Sequence, residues 1–184
     1  NASPRFKIGQ DIYKELITDS ARYFYYQRQG IELSEPYAEG FPRDDKTPQD
    51  SIASFASGKK APIDVSKGWY DAGDYGKYVN AGASGISDLF WAYEMYPSQF
   101  SDNQFNIPES GNGIPDILDE CRWELEWMLK MQNASSGGFY PRVQSDDDEN
   151  VKERIIRDQN GCTTDDTACA AAILAQAYLL YKDY

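Results

Sequence analysis

The chain has 184 residues and a formal charge of −12 at pH 7, because 30 acidic side chains outnumber 18 basic ones. Such an acidic surface repels nucleic-acid phosphates and anionic lipid head groups, so we expect no nucleic-acid partner and no membrane partner. The sequence contains no histidine, which excludes a Ser-His-Asp triad and an imidazole metal site within these residues.

Two helices are predicted in the first half of the chain. In residues 10–28, four apolar side chains recur on one face and predict an outer helix with one buried stripe: Ile12, Leu16, Tyr23 and Phe24. A second helix is predicted over residues 77–96, ended by Pro97. Gly82 and Gly85 lie at helical spacing within it. Because glycine destabilises a helix by roughly 1 kcal/mol relative to alanine, we expect a neighbouring backbone to approach closely there.

A third helix is predicted to begin at residues 114–116, where Pro115 occupies the first turn and Asp116 complements the helix dipole. Its apolar side chains form two stripes, which predict neighbours on two sides. One stripe contains Ile117, Leu118, Cys121, Leu125, Met128 and Leu129, and the other contains Trp123 and Trp127.

A fourth helix is predicted over residues 165–182, with Thr163 or Thr164 as its N-cap and Asp166 in a capping-box position. Residues 168–180 are apolar almost all round, so we expect an interior helix. No segment has the alternation of a strand. The predicted fold class is therefore all-α.

The connections between these helices are unusually long. Residues 30–71, 97–113 and 133–161 far exceed the connections of a simple helical bundle. Long ordered loops on a helical scaffold often carry the functional residues. One of them contains the acidic run at residues 146–149, which we interpret as a solvated loop, with a contribution to a calcium site as the alternative.

The cysteines and the amino terminus say little about function. Cys121, Cys162 and Cys169 form no disulfide or C-x-x-C pattern, so we expect free thiols that behave as small apolar residues. The chain begins at Asn1 without a visible targeting segment, which fits a mature secreted chain or an excised domain.

The segment most informative about chemistry is residues 68–78, GWYDAGDYGKY. Asp71 and Asp74 stand three residues apart where a long loop meets a predicted helix. Two carboxylates projecting to one side of a helix start could hold one water between them, and a base that activates water must stay ionised. The alternative is that both aspartates only cap the following helix. The surrounding aromatic residues favour a sugar site, because rings stack on the apolar faces of neutral sugars.

An inverting glycosidase needs more than these two carboxylates. Its general acid lies roughly 6.5–9.5 Å from its base, across the sugar ring. Asp71 and Asp74 are too close in sequence to span that gap, so both would lie on the water side. No other acidic residue of the chain stands out as the acid.

Several blocks in order along the chain resemble glycoside hydrolase family 9, the cellulase family. They are WYDAGDYGK at residues 69–77, YFYYQRQG at 23–30, ESGNGIPDILDE at 109–120 with WELEW at 123–127, GGFY at 137–140, and the helix at 164–176. The second of these resembles members that carry an immunoglobulin-like domain ahead of the catalytic one. The likeness covers nearly the whole chain, so residues 1–184 are interpreted as the N-terminal portion of a family 9 catalytic domain.

The resemblance implies an α/α barrel of six helical hairpins, of which this chain forms a part with long loops. It also implies secretion and hydrolysis of β-1,4-glucosidic bonds in cellulose or related β-glucans, with inversion. Asp74 matches the family's general base, and Asp71 matches the aspartate that helps to hold the attacking water. Substrate contacts are expected from four matching positions, each also compatible with packing: Trp69, Tyr70, Tyr140 and Arg142. Lys77 matches as well, in an ion pair or in contact with substrate.

Three departures from the family pattern limit this interpretation. The family's general acid is a glutamate near the end of the catalytic domain, absent here, so we expect this chain alone to be inactive. Many relatives bind zinc through the first long loop, but Gln29 replaces a cysteine and residues 37–45 contain neither Cys nor His, so no zinc site is expected. Pro141 replaces a histidine that is common after the GGFY block. No cofactor is expected to be required.

Two other functions remain open at this stage. The chain could be a non-catalytic carbohydrate-binding or scaffold module derived from the same barrel, or a helical interaction module whose aspartates only cap helices. An open portion of a barrel would also expose the apolar sides of interior helices. We therefore expect a partner chain that supplies the remainder of the barrel, or self-association.

Overall fold

The computed structural model describes residues 3–9, 12–146 and 151–184. Within these ranges it contains four α-helices: α1 (Lys14–Tyr26), α2 (Val79–Met95), α3 (Asp116–Lys130) and α4 (Thr164–Tyr181). Two short 3₁₀ helices, Pro48–Ile52 and Pro97–Gln99, lie in the connections. All four predicted helices are confirmed, and their observed bounds lie within a few residues of the predicted ones.

The buried face of α1 differs from the predicted stripe. Ile12, Leu16 and Tyr23 are exposed, whereas the helix buries Ala21, Arg22 and Tyr25. The prediction failed because it assigned burial by hydrophobicity alone. The cation of Arg22 is buried because it pairs with Glu39 and donates to the Tyr37 carbonyl oxygen at 2.6 Å.

Helix α2 packs between α3 and α4, and its glycines permit close contact as predicted. The neighbours, however, are side chains and not a backbone. A β-carbon at Gly82 would lie 2.0 Å from Oε1 of Glu124, and one at Gly85 would lie 3.1 Å from the ring of Phe24. Gly82 therefore leaves the space that the buried carboxylate of Glu124 occupies.

Helix α3 forms the centre of the core. Its first predicted stripe is buried except for Leu129, which is exposed, and Trp127 of the second stripe is fully buried. Pro115 precedes the first helical residue as the N-cap.

Helix α4 begins as predicted, with Thr163 as N-cap accepting a hydrogen bond from the Asp166 amide at 3.4 Å. The prediction that α4 is interior is wrong within the described residues, because the helix buries one side against α2 while Tyr178 and Leu179 are exposed.

A small mixed sheet corrects the all-α prediction. The strands are β1 (Ser54–Phe55), β2 (Lys77–Tyr78), β3 (Arg142–Gln144) and β4 (Ile155–Ile156), in the order β1-β4-β3-β2. β1 and β4 are parallel, and the other two pairs are antiparallel. Strands of two or three residues are too short to produce the alternation that predicts a strand. The sheet joins the connection between α1 and α2 to the connection between α3 and α4, and β2 leads directly into the N-terminus of α2.

Other features of the chain fit the expectations in part. The three cysteines are free; Cys121 is buried, and Cys162 and Cys169 are half-buried. Over the described residues, no helix combines the length and apolar character needed to cross a membrane. Most of the acidic run at 146–149 lies outside the described residues.

Candidate active site

The segment that carries Asp71 and Asp74 is a turn and not the start of a helix. The Asp71 amide donates to the Gly76 carbonyl oxygen at 2.8 Å, and the Tyr75 amide donates to the Ala72 carbonyl oxygen at 3.0 Å. Residues 71–76, which we call the aspartate loop, thus close on themselves before β2 begins at Lys77. The predicted spacing of two carboxylates on a helix start does not apply.

The two aspartates are nevertheless accessible and lie close to the same groups. Asp71 is exposed and Asp74 is half-buried, with Oδ1 of Asp74 accepting a hydrogen bond from the Gly76 amide at 3.0 Å. Burial raises the pKa of the Tyr78 hydroxyl, and the charges of Asp74 and Asp71 raise it further, whereas Arg142 lowers it. Tyr78 therefore lies within electrostatic range of both carboxylates and of Arg142.

The alternative that these aspartates only cap a helix is wrong. Helix α2 begins at Val79, and its N-cap, Tyr78, makes no side-chain capping bond. A carboxylate from helix α4 binds the N-terminus of α2 instead: the Asn80 amide donates to Oδ1 of Asp166 at 3.2 Å. Asp71 and Asp74 are thus free of a capping role.

The aspartate loop borders a pocket of about 160 Å³ between α1 and α2. Asp71 lines this pocket, whereas Asp74 is not among its lining residues. Aromatic residues form much of the rest of the wall: Tyr23, Phe24, Trp69, Tyr70 and Tyr78. Small-molecule sites commonly combine aromatic side chains with a few polar groups, as this wall does.

Trp69 is held rigidly at this pocket. Its ring packs against Phe24 with centroids 4.6 Å apart, its Nε1 donates to Glu120 at 2.8 Å, and its amide donates to Glu124 at 2.6 Å. Gly68 has φ +85°, and a β-carbon there would lie 2.7 Å from Trp127. Only glycine fits where the chain turns into Trp69.

Tyr70 is buried and is anchored through its hydroxyl. The hydroxyl oxygen lies 2.9 Å from Oγ1 of Thr47 and donates to Asp45 at 3.1 Å, while the ring packs edge-on against Tyr75 at 5.0 Å. Burial raises the pKa of Tyr70 far above its usual range. Tyr70 thus packs against Tyr75 of the aspartate loop and also lines the pocket.

Neither Tyr140 nor Arg142 lines the pocket. Tyr140 is buried, its ring packs on Phe55, and its hydroxyl is hydrogen-bonded to Lys60. It is absent from the pocket wall. Arg142 is exposed on β3 opposite Tyr78, with its guanidinium 5.5 Å from that ring. Arg142 therefore lies beside the aspartate loop, and Tyr140 lies in the packed layer beyond it.

Lys77 is an internal cation. Its side chain is fully buried, and Nζ lies 2.6 Å from Oδ2 of Asp50 and donates to the carbonyl oxygens of Val65 and Lys67, each at 2.6 Å. Nζ also donates to Oε1 of Gln29 at 3.4 Å. Lys77 thus forms a structural ion pair, and its fully buried ammonium group is out of reach of a substrate.

Two buried glutamates on α3 were not predicted as site residues. Glu120 pairs with Arg28, with Oε2 3.0 Å from Nη2, and Glu124 supports the Trp69 backbone. A signal for their burial was present, because both residues lie on the helix between the two predicted apolar stripes. Asp50 and Arg154 are also buried, and the sequence shows no such signal for them.

The raised pKa of Glu124 predicts that the stability of the fold depends on pH. Burial raises its pKa to about 8 from an ordinary 4.5, although Lys77 and the Trp69 amide oppose the shift. Between those values the unfolded chain loses a proton that the folded chain keeps, so the free energy of unfolding falls as pH rises from about 4.5 to 8. Glu124→Gln mimics the protonated carboxyl and should flatten this fall, which is on the order of a few kcal/mol.

Urea denaturation at pH 5 and at pH 8, near the two ends of this pH range, measures this effect. The control is Glu126→Gln, which removes a partly exposed carboxylate of the same helix and should leave the pH dependence unchanged. An equal pH dependence in Glu124→Gln and in the unsubstituted chain would contradict the assignment.

No group of three or more Asp, Glu, Cys or His side chains is placed to hold an ion in the described ranges. Gln29, at the position of the family's zinc-binding cysteine, is buried and donates through Nε2 to the Thr47 carbonyl oxygen at 2.9 Å. The predictions on zinc and calcium remain untested.

Comparison with solved structures defines the class of the protein. The chain superposes on a glycoside hydrolase family 9 protein of Bacteroides ovatus with a TM-score of 0.86 and 30% identity, over 97% of this chain and 35% of that one. A metagenome-derived family 9 endoglucanase gives a TM-score of 0.84 and 36% identity, over 99% and 34% of the two chains. The fold is thus that of one part of a glycoside hydrolase. The sequence model of glycosyl hydrolase family 9 matches residues 13–184, and the chain belongs to this family.

Two curated relatives align with the whole chain. A xyloglucan-specific endo-β-1,4-glucanase of Bacteroides ovatus is 34% identical, and a cellulose 1,4-β-cellobiosidase of Acetivibrio thermocellus is 35% identical. The chain spans 33% and 24% of their respective lengths. The predicted family is confirmed, and the detail of an immunoglobulin-like domain stays a prediction.

Proposed function

We propose that an enzyme containing this chain hydrolyses β-1,4-glucosidic bonds of cellulose or a related β-glucan, with inversion at the anomeric carbon. The observation that carries the proposal is the aspartate loop, in which Asp71 lines an aromatic pocket and the solvent-accessible Asp74 follows three residues later, outside that lining. The names of the relatives, which include a xyloglucan-specific endoglucanase and a cellobiosidase, support the substrate class. A polymeric substrate also fits a secreted enzyme.

In this mechanism Asp74 is the general base. The Gly76 amide holds Oδ1 of Asp74 and orients the carboxylate, while the half-exposed side chain stays open to solvent. The carboxylate takes a proton from a water molecule as the water oxygen attacks the anomeric carbon. The exposed carboxylate of Asp71 accepts the water's second hydrogen bond and so helps to hold it on the attacking face.

Cleavage also requires a general acid that protonates the leaving oxygen on the opposite face of the sugar. That group must lie roughly 6.5–9.5 Å from Asp74. We assign it to a glutamate supplied from outside these 184 residues. The isolated chain is therefore expected to bind glucan without hydrolysing it.

Rings and cations around the loop would hold the sugar. Tyr78 is half-buried and offers ring surface at the pocket, and Arg142 lies next to it. Trp69, Tyr70 and Tyr140 are buried, so they act mainly by supporting these contacts, although Trp69 and Tyr70 also line the pocket.

The stereochemistry of the first product tests this proposal. Proton NMR during hydrolysis of cellohexaose by the intact enzyme should show the α-anomer first, because inversion of a β-bond gives an α-product. Initial formation of the β-anomer would contradict the mechanism. Binding of cellohexaose without any product, measured by calorimetry on the intact enzyme, would instead support a carbohydrate-binding module.

A further inference from the structure

A buried network of three charged side chains lies directly beneath the aspartate loop. Asp50, in the 3₁₀ helix Pro48–Ile52, is fully buried. Its Oδ1 lies 2.5 Å from Nε of Arg154, and its Oδ2 lies 2.6 Å from Nζ of Lys77. All three side chains have no solvent exposure. One carboxylate therefore joins three segments that are far apart in sequence.

Arg154 extends this network to the loop itself. While Nε binds Asp50, Nη2 donates to the carbonyl oxygen of Tyr75 at 2.7 Å. Tyr75 immediately follows Asp74 and has φ +57°, in the left-handed region that tyrosine seldom adopts. Such a conformation persists only where the surroundings hold it. The guanidinium supplies part of that support at the Tyr75–Gly76 peptide, whose amide holds Oδ1 of Asp74.

Lys77 links the carboxylate of Asp50 to the segment that precedes the aspartate loop. Its ammonium group binds the carbonyl oxygens of Val65 and Lys67, just before the chain turns into Trp69. The segments that enter and leave the aspartate loop are thus tied to Asp50 through Lys77 and Arg154.

We propose that Arg154 is a positioning residue for Asp74, acting through its paired contacts with Asp50 and the Tyr75 carbonyl. The inference rests on the proposed function, in which Asp74 is the general base. A base misplaced by about 1 Å can lower a rate by about 100-fold. A contact that fixes the neighbouring peptide therefore affects kcat more than substrate binding.

The test compares Arg154→Met with Arg22→Met in the intact enzyme. Arg22 is a matched control: it is buried, pairs with a carboxylate (Glu39) and donates to a backbone carbonyl oxygen (Tyr37), but it does not contact the aspartate loop. Both variants should melt at a lower temperature. Well below melting, Arg154→Met should lower kcat by about 10- to 100-fold with KM changed less than about 3-fold. Arg22→Met should leave kcat unchanged.

Amide hydrogen exchange without substrate gives a second readout that does not depend on catalysis. Residues 71–76 should exchange faster in Arg154→Met than in Arg22→Met. If Arg154→Met does not fold, Arg154→Gln replaces it, because its shorter side chain can reach Asp50 but not the Tyr75 carbonyl at the same time. The same losses are expected for that variant.

The outcomes separate this inference from the proposed function. A folded Arg154 variant could retain the wild-type kcat and the wild-type hydrogen exchange while Asp74→Asn is inactive. That result would overturn the positioning role of Arg154 and leave the proposed function standing. An equal loss of kcat in Arg22→Met would also overturn the positioning role. A fully active Asp74→Asn enzyme would overturn the proposed function, and faster exchange confined to the Arg154 variant would still support the role of Arg154 in ordering the loop.

Discussion

Asp74→Asn is expected to lower kcat of the intact enzyme by about 10²- to 10⁴-fold, the range over which general acid–base groups contribute. Asparagine preserves the size of the side chain and can still accept the Gly76 amide through its oxygen. It cannot take a proton from water. Because the fold around the loop is kept, KM should change little.

Two variants accompany this measurement. Asp71→Asn should lower kcat less than Asp74→Asn, since it weakens only the hold on the water. Asp88→Asn, an exposed aspartate of α2 outside the aspartate loop, should have no effect. A larger loss at Asp71 than at Asp74 would exchange the two roles, and wild-type activity in Asp74→Asn would refute the assignment of the base.

Asp50→Asn is expected to destabilise the 184-residue chain by about 3–5 kcal/mol, the usual effect of breaking a buried ion pair on one side. The carboxylate faces Lys77 at 2.6 Å and Arg154 at 2.5 Å, all three fully buried. An amide would leave two buried cations without a counter-charge. Burial already lowers the pKa of Lys77 to about 8, with Asp50 opposing this shift.

An exposed pair on the same molecule provides the control for that variant. Asp64 lies 2.8 Å from Nζ of Lys130, but the two side chains are 53% and 30% exposed. Asp64→Asn keeps an oxygen that can accept the Ser66 bonds, so only the charge is lost. Its expected effect in urea denaturation is at most about 1 kcal/mol. If Asp50→Asn and Asp64→Asn lowered the free energy of unfolding equally, burial of the Asp50 ion pairs would have no effect on their contribution to stability.

The helices and the candidate loop were accessible to prediction because their signals are local. Apolar spacing located all four helices, and the capping of α4 by Thr163 followed from adjacent residues. The aspartates were recognised from their spacing and from the family motif. The loop was wrongly placed at the first turn of a helix, since β2 separates it from α2.

Other features were missed because they depend on distant partners. Strands β1 and β4 have two residues each, and they pair across about 100 positions of sequence. Burial of a charge likewise depends on a counter-charge that sequence spacing does not reveal, as with Asp50 and Arg154. The exposed apolar side chains of α1 show the converse, because hydrophobicity predicts burial only where a neighbour exists.

By itself, the amino-acid sequence determined the family, the helical segments and the two carboxylates proposed for catalysis, because each is encoded by residues close together in the chain. Only the tertiary structure decided how the aspartate loop is held. Its support comes from a 3₁₀ helix, strand β2 and the residue before β4, which folding brings together so that the charge of Lys77 is enclosed and Arg154 contacts the Tyr75 carbonyl. Buried charges require counter-charges within a few ångströms, and those distances exist only once distant segments have packed.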